Sequence, residues 1–341
     1  MTIDLVSHSA GASRPAGNRF PWLVADAGGT NARFGWVVGE GSEVRHIRKL
    51  PVADYAELEL AVRAYLEQLA ILLGGDFRAP RWAAIAVAAA TNGDRVELTN
   101  SPWKFSCSAL AAALALEGLL VLNDFEALAL SLPRLKPAQI LSHGRPIPLP
   151  GTLAVIGPGT GLGVAGVVQS RSGWVPVPGE GGHASLAPGD DFESALLART
   201  RTRFGHVSAE RLLSGIGLPN LHEVVAEVLG MPAERLSTEE IVEHGTQGHD
   251  PVSERTLDVF CALLGSFAGN VALTLGARGG VFVGGGIVPR LGERFFRSAF
   301  RERFEAKGRL RPYLGAIPTA LITDTLAALG GAALAIEQHE S

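Results

Sequence analysis

A strong excess of charge of one sign, paired cysteines and long unbroken apolar runs are all missing from this 341-residue chain. Its formal net charge is −4 and no basic run exceeds a few residues, which excludes nucleic acid and anionic membranes as electrostatic partners. Only two cysteines occur, Cys107 and Cys261, far apart and without CxxC or Cys/His spacing. They offer no structural zinc site and no disulfide framework, so the simplest reading is a reduced, cytoplasmic chain. The most apolar segments are broken by Gly, Pro or charge before they reach membrane-spanning length. The first twenty residues, rich in Ser, Ala and Gly, contain no apolar core of signal-peptide length and read as a flexible tail. No GxxxxGK[ST] occurs, and no glycine loop opens directly into a clear helix, which argues against P-loop NTPases and dinucleotide-binding enzymes.

What the chain does have is apolar mass and glycine. Hydrophobic residues make up 47% and charged residues 19%, with 42 glycines, a composition for two compact domains rather than a disordered protein. The glycines concentrate after apolar strands. The stretch IGPGTGLG, residues 156–163, reads as a tight hairpin between buried strands, which either cradles phosphate with bare backbone N–H groups or is an ordinary glycine turn. A second loop, Asp26, Ala27, Gly28, Gly29, Thr30 and Asn31, has the same strand-turn-strand setting, and a third, Gly284, Gly285 and Gly286, follows the apolar run at 280–283. Three such loops fed by separate strands can surround a nucleotide, whereas one alone is weak.

Periodicity orders the chain as three antiparallel strands followed by alternating helix and strand, given twice. In the first half, strands are expected at 22–26, 34–38, 44–50, 82–88, 96–98 and 119–122, with helices at 55–73, 108–116 and 125–132. Residues 133–150, rich in Pro and basic side chains, show little periodicity and mark the domain boundary. The second half predicts a strand near 174–177, helices at 192–204, 208–214, 218–229 and 238–247, and a long, nearly uncharged helix at 251–275 that is buried in its own domain or against a second subunit. A strand at 280–283, a helix at 291–304, a strand at 318–322 and a closing helix at 326–337 complete it.

Several residues carry candidate chemistry. Asp26, at a strand end beside a phosphate loop, suits an Mg²⁺-side carboxylate acting through water, or else an Asx-turn acid. Asn123 and Asp124 end a buried strand; Asp124 is placed to accept a hydroxyl proton, or to cap the following helix. Glu180 and His183 flank a Gly-Gly turn that can aim both at sugar hydroxyls, or they are solvated surface. Glu210 reads equally as an acid in the first turn of a helix.

The motifs LVADAGGTNARF, TNSPWKFS, LNDFEALALSLP, IGPGTGLGVA, WVPVPGEGGH, GHVSAERLLSG and GGVFVGGGIVPR, in this order from about Leu23 to Leu334, resemble those of the bacterial ATP-dependent glucokinases, within the superfamily of sugar kinases, actins and chaperone ATPases. The resemblance implies an α/β fold of the two-domain, actin-like (ribonuclease H-like) kind, each domain a mixed sheet with helices and the active-site cleft between them. It implies a tail at 1–20, a small α/β domain at 21–134 completed by a C-terminal helix at 325–341, and a large α/β domain at 135–324. Asp26, Gly28, Gly29, Thr30 and Asn31, with Gly159, Thr160 and Gly161, fall on positions that embrace the ATP phosphates and Mg²⁺, and Gly284, Gly285 and Gly286 on the turn near adenosine. Asn123, Asp124, Glu180, His183 and Glu210 fall on glucose-binding positions, and Asp124 on that of the general base. Pro158 departs from the small residue usual there and stiffens the hairpin. The cysteine-rich zinc motif of the related repressor and open-reading-frame kinase group is absent.

The expected activity is transfer of the ATP γ-phosphoryl group to the 6-hydroxyl of glucose by a cytoplasmic homodimer, with no nucleic-acid or membrane partner. Alternatives are a kinase for mannose, fructose or an N-acetylated amino sugar, and a non-catalytic sugar sensor on the same scaffold. Sensors of that kind usually carry a helix-turn-helix domain, and only about twenty residues precede the first strand here.

Overall fold

The apolar run WLVADA forms β1 (Trp22–Ala27), turns through the first glycine loop and returns as β2 (Asn31–Val37) and β3 (Arg45–Pro51). The structure, a computed structural model, describes residues 19–89, 91, 93–144, 150–232 and 234–340, so the expected tail lies almost wholly outside the described residues. Helix α1 (Leu58–Leu73) follows, burying Leu58, Ala61, Val62, Tyr65 and Leu69 at the three-and-four spacing read from the sequence. Next come β4 (Trp82–Val87), the short pair β5 (Arg95–Glu97) and β6 (Lys104–Ser106), α2 (Cys107–Ala113), β7 (Gly118–Asn123) and α3 (Asp124–Ser131).

The main sheet of this part has the order β3-β2-β1-β4-β7. Strand β1 is antiparallel to β2 and parallel to β4, and β4 is parallel to β7. The register sets Ala27 beside Val87 and Val87 beside Asn123, so the C-terminal ends of all three parallel strands share one edge of the sheet. That edge is where open α/β sheets bind ligands.

The second sheet repeats the plan. After β8 (Ile140–His143) come β9 (Leu153–Pro158), β10 (Leu162–Ser170) and β11 (Gly173–Gly179). Four helices follow, α4 (Asp191–Arg203), α5 (Gly217–Leu229), α6 (Thr238–Gln247) and α7 (Pro251–Leu275), then β12 (Gly280–Val283). The short helices α8 (Val288–Leu291), α9 (Glu293–Arg297), α10 (Phe300–Glu305) and α11 (Arg311–Gly315) lead to β13 (Thr319–Ile322), and α12 (Ala327–Glu340) ends the described chain. Within this sheet the order is β11-β10-β9-β12-β13-β8. Ranked along the chain from β9, it reads third-second-first-fourth-fifth, as in the first sheet, and again the first pair is antiparallel and the next two parallel. Strand β8 caps the far edge, antiparallel to β13.

By their contacts the described residues within the following ranges form two compact units. One comprises the chain through Leu135, Ser170–Pro176 and the residues from Thr325 onward; the other comprises Lys136–Gln169 and Val177–Asp324. In the first unit α12 lies against α3, backbone to backbone where Gly331 meets the carbonyl of Ala127. In the second, α7 is long and apolar enough to cross a membrane by composition, yet 78% of its most apolar window is buried. Its partners lie in its own unit, with Gly265 against Phe300 and Gly269 against Phe304 of α10.

Three expectations are corrected. Residues 208–214 form hydrogen-bonded turns, not a helix, because Ala209 and Glu210 donate their amides to Ala184 and Gly182 at 2.9 Å each and Ser208 bridges Ser185. The backbone spends its hydrogen bonds across a short ladder instead of along a helix. The expected helix over 291–304 is broken at Gly292 (φ 54°) and at Ser298, giving α8, α9 and α10. The aperiodic stretch at 133–150 contains β8, whose edge position leaves its residues half-buried or exposed and hides the strand pattern; residues 145–149 lie outside the described residues.

Candidate active site

In the first unit the candidate residues gather at the shared C-terminal edge of β1, β4 and β7. The loop after β1 is closed by Gly28 N–H donating to the Asn31 carbonyl at 3.0 Å and anchored by Val52 N–H donating to that of Thr30 at 2.9 Å. Thr30 is exposed and its neighbours are half-buried, so the loop presents backbone to solvent. Asp26 stands at the root of this loop, with Arg33 directly opposite on β2. Arg33 Nη1 donates to Asp26 Oδ2 at 3.0 Å. Burial raises the Asp26 pKa, and the guanidinium opposes that rise by its charge and its hydrogen bond.

At the end of β7 two neighbouring polar residues divide the work. Asn123 is the N-cap of α3: its Oδ1 accepts from Phe125 N–H at 2.9 Å and Glu126 N–H at 3.3 Å. The Glu126 carboxylate reciprocates by accepting from Asn123 N–H at 3.4 Å, a capping box, and Asn123 Nδ2 donates to the Ala89 carbonyl at 3.3 Å. The cap role considered for Asp124 therefore belongs to Asn123. Asp124 occupies the first helical position, where its Oδ1 accepts Phe125 N–H at 2.9 Å and its carboxyl is also hydrogen-bonded by the Asn123 side chain and its own backbone N–H. Its pKa is pushed up to about 6, chiefly by burial; the bond from Phe125 lowers it, and the nearby charge of Asp26 raises it further. A carboxyl group that titrates near neutrality is suited to exchanging a proton with a hydroxyl.

In the second unit the glycine hairpin joins β9 to β10. Gly159 N–H donates to the Gly161 carbonyl at 2.9 Å, and Thr160 at the tip is exposed. Behind it, Gly215 N–H reaches the Gly159 carbonyl at 2.7 Å and Ile216 N–H that of Thr160 at 3.4 Å, just ahead of α5. The third glycine loop packs on the same hairpin. Gly284 N–H donates to Ile156 at 2.8 Å and Ile287 N–H to Pro158 at 3.3 Å, while Gly285 (φ 81°) lies so close to the Pro158 carbonyl that no Cβ fits. Gly159, Thr160 and Gly161 thus share one site with Gly284, Gly285 and Gly286, an arrangement of bare amides beside a helix N-terminus that suits phosphate.

Glu180 and His183 belong to the same unit. One turn of 3₁₀ helix at Gly181–His183 separates them, and both are exposed. Gly182 is pressed on the carbonyl of Leu162, where a side chain would collide, which fixes this turn beside the root of the hairpin. Glu210 joins them: its Oε1 lies 3.8 Å from His183 Nε2 and its Oε2 accepts from Leu162 N–H at 2.8 Å.

The structure therefore assembles two groups: Asp26, Asn123 and Asp124 with the first loop in one unit, and Glu180, His183 and Glu210 with the other two loops in the second. Sequence reasoning missed Arg33, the pairing partner of Asp26, and the backing segment at 214–217; the alternating glycines of SGIG were the available signal for the latter. Among the described residues no group of three or more His, Cys, Asp or Glu forms a metal site. Asp26 offers a single carboxylate at the root of the first glycine loop, a donor that fits Mg²⁺ held mostly by nucleotide and water rather than by a protein cage.

The Glucokinase family model matches residues 23–339. A glucokinase of Paramagnetospirillum magneticum is 49% identical over 313 residues, which cover 91% of this chain and 96% of that protein. The crystal structure of a glucokinase from an Antarctic psychrotroph aligns with a TM-score of 0.86 at 37% identity, covering 94% of this chain and 99% of the other. A ROK-family glucokinase from Streptomyces griseus, in complex with glucose and AMPPNP, aligns with a TM-score of 0.60 at 20% identity over 93% of this chain and 99% of the other, and shares the fold.

Proposed function

The chain belongs to the glucokinase family, and from that premise we propose that it transfers the γ-phosphoryl group of ATP to the 6-hydroxyl of D-glucose, giving glucose 6-phosphate and ADP. Its two-domain actin-like fold supports the reading, as does the chemistry of the residues at the two candidate groups. Asn123, Asp124, Glu180, His183 and Glu210 bind the sugar, each able to donate to or accept from a hydroxyl. Asp124 is the general base. It takes the proton of the 6-hydroxyl as that oxygen bonds to the γ-phosphorus, while the bond from phosphorus to the bridging oxygen breaks and ADP leaves.

The amides of the Gly28 to Asn31 loop and of Gly159 to Gly161 bind the phosphates and stabilise charge as it spreads in the transition state. The Gly284 to Gly286 turn lies on the adenosine side. Asp26 would hold Mg²⁺ through water, and the ion when bound would supply charge neutralisation. Protein domains 21–134 with 325–341, and 135–324, provide the two sets of residues. A cytoplasmic location and a homodimeric state complete the proposal on family grounds; α7 gives no support for the dimer, since its apolar face is spent within its own unit.

The observation that carries the mechanism is the division of labour at β7: Asn123 caps α3, which leaves the Asp124 carboxyl, its pKa raised to about 6, outside the capping box. Coupled ADP release measured across a hexose panel tests the activity. ADP production dependent on glucose and weaker with mannose, fructose and N-acetylglucosamine is expected. No sugar-dependent ADP would refute a kinase, and a preference for another hexose would refute glucose as the substrate.

A further inference from the structure

Glu210 has two oxygens that face different ligands. Oε1 points toward His183, 3.8 Å away, on the side assigned to sugar. Oε2 accepts the backbone N–H of Leu162 at 2.8 Å, and Leu162 is the first residue of β10, immediately after the phosphate hairpin. The fit there is tight: a Cβ built on Gly161 would stand 2.5 Å from Oε2.

The main chain around Glu210 makes the same connection. Glu210 N–H donates to Gly182 in the sugar-side turn at 2.9 Å, and the Glu210 carbonyl accepts Ser214 Oγ at 2.7 Å. One residue later Gly215 N–H holds the Gly159 carbonyl at 2.7 Å. Residues 210–215 therefore brace both shoulders of the hairpin, with the Glu210 carboxylate at Leu162 and the Gly215 amide at Gly159.

We propose that Glu210 is a positioning residue for the phosphate hairpin as well as a sugar ligand, so that one carboxylate couples sugar binding to nucleotide binding. This rests on the assignment of Glu210 to sugar and of Gly159, Thr160 and Gly161 to phosphate. A hydroxyl bonded to Oε1 orients the carboxylate plane and hence the bond from Oε2 to Leu162; a phosphate on the hairpin amides orders Leu162 and hence Glu210. Such coupling is reciprocal in affinity. A residue serving sugar alone would leave nucleotide binding in the absence of sugar untouched.

The test is calorimetric titration of ADP without sugar, and of glucose without nucleotide, on the wild type and on Glu210→Ala, Glu210→Gln and Gly161→Ala, with circular dichroism to verify folding. Loss of a charge-assisted hydrogen bond weakens ADP binding about tenfold in Glu210→Ala. Glu210→Gln restores ADP affinity to within about twofold, because its amide oxygen still accepts Leu162 N–H, while glucose affinity stays impaired. Gly161→Ala, a change in the phosphate hairpin, weakens glucose binding by displacing the carboxylate. Wild-type ADP affinity in Glu210→Ala, or wild-type glucose affinity in Gly161→Ala, overturns the coupling; if Glu210→Ala does not fold, the Gly161→Ala titration decides. A wild-type protein that binds ADP but no hexose overturns instead the sugar assignment beneath it, and the two failures are distinguishable because the ADP titrations contain no sugar.

Discussion

Arg33 and Asp26 face each other across the β1–β2 pair, with Nη1 3.0 Å from Oδ2. The guanidinium opposes the effect of burial and favours the ionised carboxylate that the proposed Mg²⁺ role calls for. Replacing it with an uncharged side chain raises the Asp26 pKa further. Arg33→Met is therefore expected to weaken Mg·ADP binding, and more at pH 6 than at pH 8. Titrations at the two pH values check this; equal losses at both would remove the electrostatic role of Arg33.

The Asp124 pKa of about 6 sets a second expectation. A general base works unprotonated, so kcat/KM for glucose falls on the acid side of about pH 6. Asp26 contributes to that raised value through its charge. In Asp26→Asn, whose absolute activity is low, the acid limb moves to lower pH. The ionisation of ATP is common to both proteins, so the shift between their profiles isolates the carboxyl pair. An unmoved limb would show that the two groups do not interact.

The same raised pKa makes Asp124 a stability cost. A carboxyl whose folded pKa lies above its unfolded value favours the folded state below about pH 4, and that contribution is lost as pH rises through about 6. Asp124→Asn does not titrate. Relative to wild type it should be more stable at pH 7.5, by about 1 kcal/mol after screening at this half-buried site, with the advantage vanishing near pH 4. Thermal melts across this range test the sign. A variant equally or less stable at pH 7.5 would contradict it.

Gly285 offers a purely steric test. Its φ of 81° and its contact with the Pro158 carbonyl leave no place for a Cβ. Gly285→Ala should lower the melting temperature by a few degrees and weaken nucleotide binding about tenfold by tilting the loop off the hairpin. Glucose affinity measured without nucleotide should remain within about twofold. Unchanged ADP affinity would separate this loop from the nucleotide.

The glycine loops were legible because a strand that ends in Gly-Gly-Thr or Gly-Thr-Gly is a local pattern, and the doubled succession of strands and helices along the chain followed from periodicity and turn residues. Long-range relations were not. Glu210 meets Leu162 across 48 positions, and its segment is drawn out of a helix by hydrogen bonds to Gly182 and Ala184, neither of which has a signal in spacing. The apolar spacing of 291–304 continues through Gly292 and Ser298, so the breaks show only in the backbone, in the φ of Gly292 and the extended conformation of Ser298. At β7 the sequence left two readings for one acid, and the side-chain geometry separates them by giving the cap to Asn123. Strand β8 had no pattern to read because an edge strand buries too little of either face.

Turnover of Asp124→Asn, measured together with its glucose affinity, bears hardest on the proposed chemistry. Asparagine preserves the size and hydrogen-bonding reach of the side chain but cannot take a proton at neutral pH. The expected result is glucose binding close to that of the wild type with kcat reduced about 10²-fold or more, the lower end of what a general base contributes. A kcat near the wild-type value would remove Asp124 from the reaction and leave the raised carboxyl at the end of β7 without a catalytic purpose.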